Sequence, residues 1–112
     1  PRAGESVTDY LRRLCHEETG NEPALDYYLC ALLLRKELDT FVAELNYYCY
    51  VEPSLPRAYQ EALFLYYAGH AELTPPFDLS AVGRDYQLYR LSPAAHQKTY
   101  WYYYDHTTVR FE

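Results

Sequence analysis

The sequence predicts an all-α fold of five or six helices, and three observations carry that expectation. Residues 55–69 read as a helix apolar most of the way round: Tyr59, Ala62, Leu63 and Tyr66 keep helical spacing, while Phe64, Leu65 and Tyr67 fill the other side. The segments on either side repeat the same period. Start and stop signals recur between them: Ser6, Pro23, Pro56 and Ser92-Pro93 open helices, and Gly20 and Gly69 close them. A chain of 112 residues with 49% hydrophobic content is long and apolar enough for a packed core. It is read as a single domain over residues 1–112, and, because it opens on Pro1 with no Met, as a piece of a longer protein.

Each element has its own warrant. Ser6 and Asp9 have the shape of a capping box, with Asp shorter than the usual Glu. Val7, Tyr10, Leu11, Leu14 and Cys15 then follow a helical stripe, and Gly20 and Asn21 end it. Pro23 suits the first turn of a second helix running to about Arg35. Its stripes are Leu25, Tyr28, Leu29 and Leu32 on one side, and Tyr27, Cys30, Ala31 and Leu34 on the other. Such a helix should be sandwiched. A third helix starts near Glu37 or Leu38. Leu38, Phe41, Val42, Leu45, Tyr48 and Cys49 form its apolar face, and Asp39, Thr40, Ala43, Glu44, Asn46 and Tyr47 its polar one. The short gap before it predicts an antiparallel hairpin. Residues 52–56 form a loop before the central helix.

Beyond Gly69, Pro75-Pro76 dictates an extended or turned segment. Asp78 or Ser80 can cap a fifth helix over Ala81–Arg90, which Gly83 weakens by about 1 kcal/mol relative to Ala. Ser92-Pro93 opens a sixth helix through Tyr104. In it Tyr100, Trp101 and Tyr104 would close over the preceding helices, and Tyr102 would point to solvent or a partner. As a strand the same run would place Trp101 and Tyr104 on opposite sides.

Composition narrows the function classes. A net charge of −6, with scattered Lys and Arg, argues against nucleic acid and against an anionic membrane surface. The apolar run at Leu29–Leu34 is far short of the ~20 residues of a membrane span, so no direct membrane insertion by this segment is expected. Cys15, Cys30 and Cys49 are odd in number, lack a Cys-x-x-Cys pair and read as buried thiols in a reducing compartment, with one disulfide plus a free thiol as the alternative.

Catalytic motifs fail one by one. His16-Glu17-Glu18 begins like a zincin helix, but Gly20 stands where the second His should be. His70 with Glu72, His96, and Asp105-His106 lack ligand spacing. Ser6, Ser54, Ser80 and Ser92 sit at caps or in loops, without a nucleophile elbow. No glycine-rich phosphate loop exists, and the carboxylates read as solvated helix faces. No metal, cofactor or catalytic residue is expected. What stands out is 15 tyrosines, which combine rigid contact area with a polar tip. Tyr28, Tyr59, Tyr66 and Trp101 fall on core stripes. Tyr47, Tyr50 and Tyr102 fall on polar faces and are the candidate partner- or ligand-binding residues.

Pro23, Pro56 and Pro93 recur at a spacing close to the ~34-residue period of tetratricopeptide repeats. Tyr59-x-x-Ala62-Leu63-x-x-Tyr66 resembles the first helix of that repeat, and Tyr28-x-x-Ala31-Leu32 resembles it in part. The second helix departs from the pattern, because Phe41 and Ala43 stand in the wrong order. The resemblance implies a right-handed stack of antiparallel helical hairpins. Leu55-Pro56-Arg57-x-Tyr59-Gln60-Glu61-Ala62-Leu63 and Thr99–Tyr104 also resemble the C-terminal region of an uncharacterised Bacteroidales-type family, whose members carry several membrane spans before a soluble helical region. That resemblance implies the soluble end of a membrane-anchored bacterial protein and brings no activity with it. The expected function is a non-enzymatic interaction or scaffolding module for a protein partner or a domain of its parent chain. The alternatives are an aromatic-lined domain for a small ligand or carbohydrate, and a structural cap on a longer repeat array.

Overall fold

A computed structural model describes residues 2–17, 22–47 and 55–109. Among them are six α-helices, one 3-10 turn and no strand. The helices are α1 (Val7–Glu17), α2 (Glu22–Leu34), α3 (Leu38–Tyr47), α4 (Arg57–Ala68), α5 (Ser80–Leu91) and α6 (Tyr100–His106); the 3-10 turn, Pro93–His96, lies between the last two. They fall into two compact units, α1–α3 and α4–α6.

In the first unit α2 packs against both α1 and α3. Ser6 Oγ accepts the Asp9 N–H at 3.1 Å, which is the Ser half of the expected capping box. The core joins Cys15 to Ala24, Tyr28, Leu29, Leu32 and Leu33 of α2 and to Phe41, Val42 and Leu45 of α3. The stop after α2 is a Schellman turn: Glu37 N–H donates to Leu32 O at 2.9 Å and Lys36 N–H to Leu33 O at 3.0 Å. Lys36 supplies the left-handed residue, with φ 59°. A lysine here forgoes the freedom of glycine, so the turn forms at a conformational cost. Glu37 O then accepts from Phe41 N–H and starts α3, which closes the hairpin tightly.

Two expectations about α2 are corrected. Its first stripe is buried at Tyr28, Leu29 and Leu32 and half-buried at Leu25, but the second is not covered from end to end: Tyr27 is 71% exposed, and Cys30 and Leu34 are also exposed. Three helices give α2 two neighbours, and two neighbours cannot enclose a helix. Cys30 is therefore not the buried thiol expected, whereas Cys15 is. Tyr48, Cys49 and Tyr50, like Gly20 and Asn21, lie outside the described residues.

In the second unit α4 packs against α5 and α6. Pro56 precedes the first turn, and its carbonyl accepts from Tyr59 and Gln60 N–H. Gly69 ends α4 with φ −87°, so this stop does not use glycine's left-handed freedom. Tyr59, Ala62 and Leu63 are buried as the stripe requires, but Tyr66 is only half-buried. Asp78 accepts from the Ser80 N–H at 3.0 Å and the Ser80 hydroxyl at 2.7 Å, fixing the start of α5. Val82, Tyr89 and Trp101 form the core here, with Phe64, Leu65, Leu79, Tyr86 and Tyr102 packed around them.

The continuous sixth helix is also corrected. Ser92-Pro93 opens only the 3-10 turn, without a side-chain cap from Ser92. Thr99 is the true N-cap of α6: its hydroxyl accepts from Tyr102 N–H at 3.2 Å. Glu61 takes another first-turn donor, accepting from Tyr100 N–H at 2.8 Å. The restart aims Trp101 into the core, where its indole N–H donates to Glu61 O at 2.9 Å. The strand alternative is excluded for residues 100–106.

Candidate functional site

On the first unit, His16 at the end of α1 reaches α3. Its Nε2 lies 3.2 Å from Glu44 Oε2. A carboxylate only accepts, so Nε2 carries the proton of this bond. The imidazole also stacks on Tyr47, with ring centroids 5.1 Å apart and planes at 28°. Glu44 and Tyr47 are three positions apart on α3 and so share a face. Tyr47 is 65% exposed, whereas Glu44 is 92% buried by its 8% residual exposure. Glu44 was expected on the solvated face. It sits instead at the edge of the apolar face beside Phe41, where the end of α1 closes over it.

Cys15, His16 and Glu44 are the residue types of a thiol nucleophile, a base and an orienting acid. The geometry does not assemble them. Successive helix positions diverge by ~100°, so Cys15 enters the core while its neighbour His16 turns to Glu44. Burial raises the Cys15 pKa, and the nearby Glu44 charge raises it further. The group is therefore a protonated thiol at neutral pH and a poor nucleophile. Near the N-terminal end of α2, Pro23, Asp26, Tyr27 and Cys30 line a surface hollow of about 480 Å³.

On the second unit Tyr102, expected to point away, is half-buried against the Trp101 cluster. Its ring is stacked on His106, with centroids 4.2 Å apart. The reason is the docking line of α6. Trp101 and Asp105 both face α5, where Tyr89 donates its hydroxyl proton to Asp105 and holds the same oxygen 3.2 Å from Trp101 O. Tyr102 is left on the flank. Tyr86 meets Trp101 edge-on at 5.1 Å, and the Arg57 guanidinium lies over the Trp101 ring at 5.8 Å. Arg57 also bridges Glu61 at 3.0 Å and Asp85 at 2.7 Å.

The remaining histidines have local roles. His70, His96 and His106 each place Nδ1 within 3.0 Å of the carbonyl four residues earlier, on Tyr66, Ser92 and Tyr102. Among the described residues no three His, Cys, Asp or Glu side chains converge as metal ligands do. Also among the described residues, no helix is long and apolar enough to cross a membrane. Of the three candidate binding tyrosines, Tyr47 and Tyr102 belong to different units, and Tyr50 lies outside the described residues. His16 and Glu44, which gather around Tyr47, were missed by sequence reasoning. The signal that could have found Glu44 is its position at the border of the α3 apolar face.

No curated protein and no solved structure matches this chain. A family model does, over residues 3–107, nearly the whole length. The chain, helical through its described residues, therefore belongs to a family of unknown function, DUF6057.

Proposed function

We propose that the chain is a non-enzymatic interaction module that presents tyrosine-bearing helix faces to another protein. The observation that carries this reading is the division among the aromatic side chains. Tyr28, Tyr59, Tyr89 and Trp101 are buried, while Tyr27 and Tyr47 lie largely exposed on outward helix faces. Tyrosine is enriched at the cores of protein interfaces, where its ring gives rigid contact area and its hydroxyl a polar tip. The α2–α3 hairpin and the packing of α4 on α5 support the finer reading that the chain is built from degenerate tetratricopeptide-type helical hairpins. The family resemblance noted above supports placing the module at the water-exposed end of a membrane-anchored bacterial protein.

The test is photo-crosslinking in the full-length protein in its own cells, with a benzophenone amino acid at position 47 or 102 and, as control, at the exposed Arg12. A discrete protein adduct from 47 or 102, absent from the control, is expected. Identical patterns from all three positions would refute the reading.

A further inference from the structure

We propose that Tyr47, His16 and Glu44 form a receptor for a guanidinium group, the arginine side chain of a basic partner segment. The inference deepens the interaction reading and rests on it. Its starting point is Glu44. A carboxylate offers about four acceptor positions, and burying its charge is costly unless those positions are used. Glu44 is buried, yet among the described residues its one hydrogen-bond partner is His16, at 3.2 Å. Capacity remains for a donor arriving from outside.

Tyr47 supplies the second half of the site. It stands next to Glu44 on the same face of α3, and most of its surface is exposed even with His16 stacked against it. A guanidinium is the one common side-chain group that uses both features at once. It is planar and weakly hydrated, so it stacks on an aromatic face, and its fork of N–H donors matches a carboxylate. A lysine ammonium would meet the charge but not the plane. The whole chain favours such a visitor, since a net charge of −6 draws basic segments toward it.

The probe is N-acetyl-arginine-amide, titrated into the isotope-labelled chain and followed by NMR, beside N-acetyl-citrulline-amide, which has the same shape without the charge. The arginine probe should shift the Tyr47 and His16 ring signals and the Glu44 carboxyl signal together, with a Kd of about millimolar for so small a ligand. Citrulline should leave them in place. Glu44→Gln and Tyr47→Leu should each weaken binding at least about fivefold. Tyr47 is exposed, so its variant is expected to keep the helical circular dichroism of the parent and tests the site even if Glu44→Gln unfolds. Equal responses to arginine and citrulline, shifts confined to other residues, or unchanged affinity in Tyr47→Leu would overturn the proposal. A crosslinked partner together with a silent arginine probe would remove the guanidinium assignment alone. Loss of both would remove the interaction reading with it.

Discussion

Replacing Glu61 tests what holds the second unit together. Glu61 is buried to 4% exposure, and its carboxylate accepts from Tyr100 N–H at 2.8 Å and Arg57 Nε at 3.0 Å. Glu61→Ala strands the Tyr100 N–H in a dry position, which costs about 1–3 kcal/mol. The Arg57 side chain is 47% exposed, so losing its ion pair adds at most about 1 kcal/mol after solvent screening. Lost packing of the side-chain stem brings the total to roughly 2–4 kcal/mol. Glu61→Gln keeps an oxygen for Tyr100 and loses only the charge, so it should cost about 1 kcal/mol. Urea unfolding followed by tryptophan fluorescence reads this cleanly, because the chain has one Trp and its indole N–H bonds to the Glu61 carbonyl. If the two variants differ by less than about 0.5 kcal/mol, the claim that Glu61 serves as a helix cap for α6 fails.

Trp101→Ala should cost ~3–5 kcal/mol and Tyr102→Ala only ~1–2, by thermal or urea unfolding, since the first empties the core and the second trims its flank. Equal losses would contradict the docking line of α6. A Cβ on Gly83 would lie 3.0 Å from Phe64 Cε2. Gly83→Ala should therefore lose more to overpacking than the ~1 kcal/mol it gains in helix propensity, and adding Phe64→Leu should reverse the sign in the same denaturation assay. Lys36→Gly should raise stability by ~0.5–1 kcal/mol by relieving the left-handed turn, read by circular dichroism. The Glu5 carboxyl is held at about 2, against an ordinary 4.5, chiefly by the hydrogen bond from Arg13 and next by the Arg2 backbone N–H. A depressed folded pKa gives stabilisation that is full above about 4.5 and lost as pH falls through about 2. NMR titration of Glu5 should show that depression in the parent and its partial loss in Arg13→Gln; equal values would refute the tie.

Legibility in the sequence followed the range of the forces involved. Helix existence was plain because apolar period and start signals act within a few residues. Pro23, Pro56 and the Leu63 stripe led to the observed helices within a residue or two. Ser92-Pro93 misled because a good start signal says nothing of where the helix must restart to aim Trp101 at Glu61. That requirement is tertiary, and Thr99, a plain capping residue seven positions on, met it. Burial all round α2 was overread for a related reason. An apolar surface states that contact would be favourable, not that the chain supplies enough neighbours to make it.

The two buried carboxylates were illegible for one cause and differ in one consequence. A pattern reading assigns every Glu to solvent, since burying its charge is costly without partners that only the fold can bring. Glu61 receives them from a backbone N–H and an arginine of its own unit, so its charge is spent on joining α4 to α6. Glu44 receives one bond from His16 among the described residues. Both sites bear the cost of a buried charge, but Glu61 offsets it with a backbone N–H and an arginine, and Glu44, among the described residues, with His16 alone. The same chemistry that makes Glu61 a structural tie therefore leaves Glu44, beside an exposed tyrosine ring, the better placed of the two to gain from a cation brought by a partner.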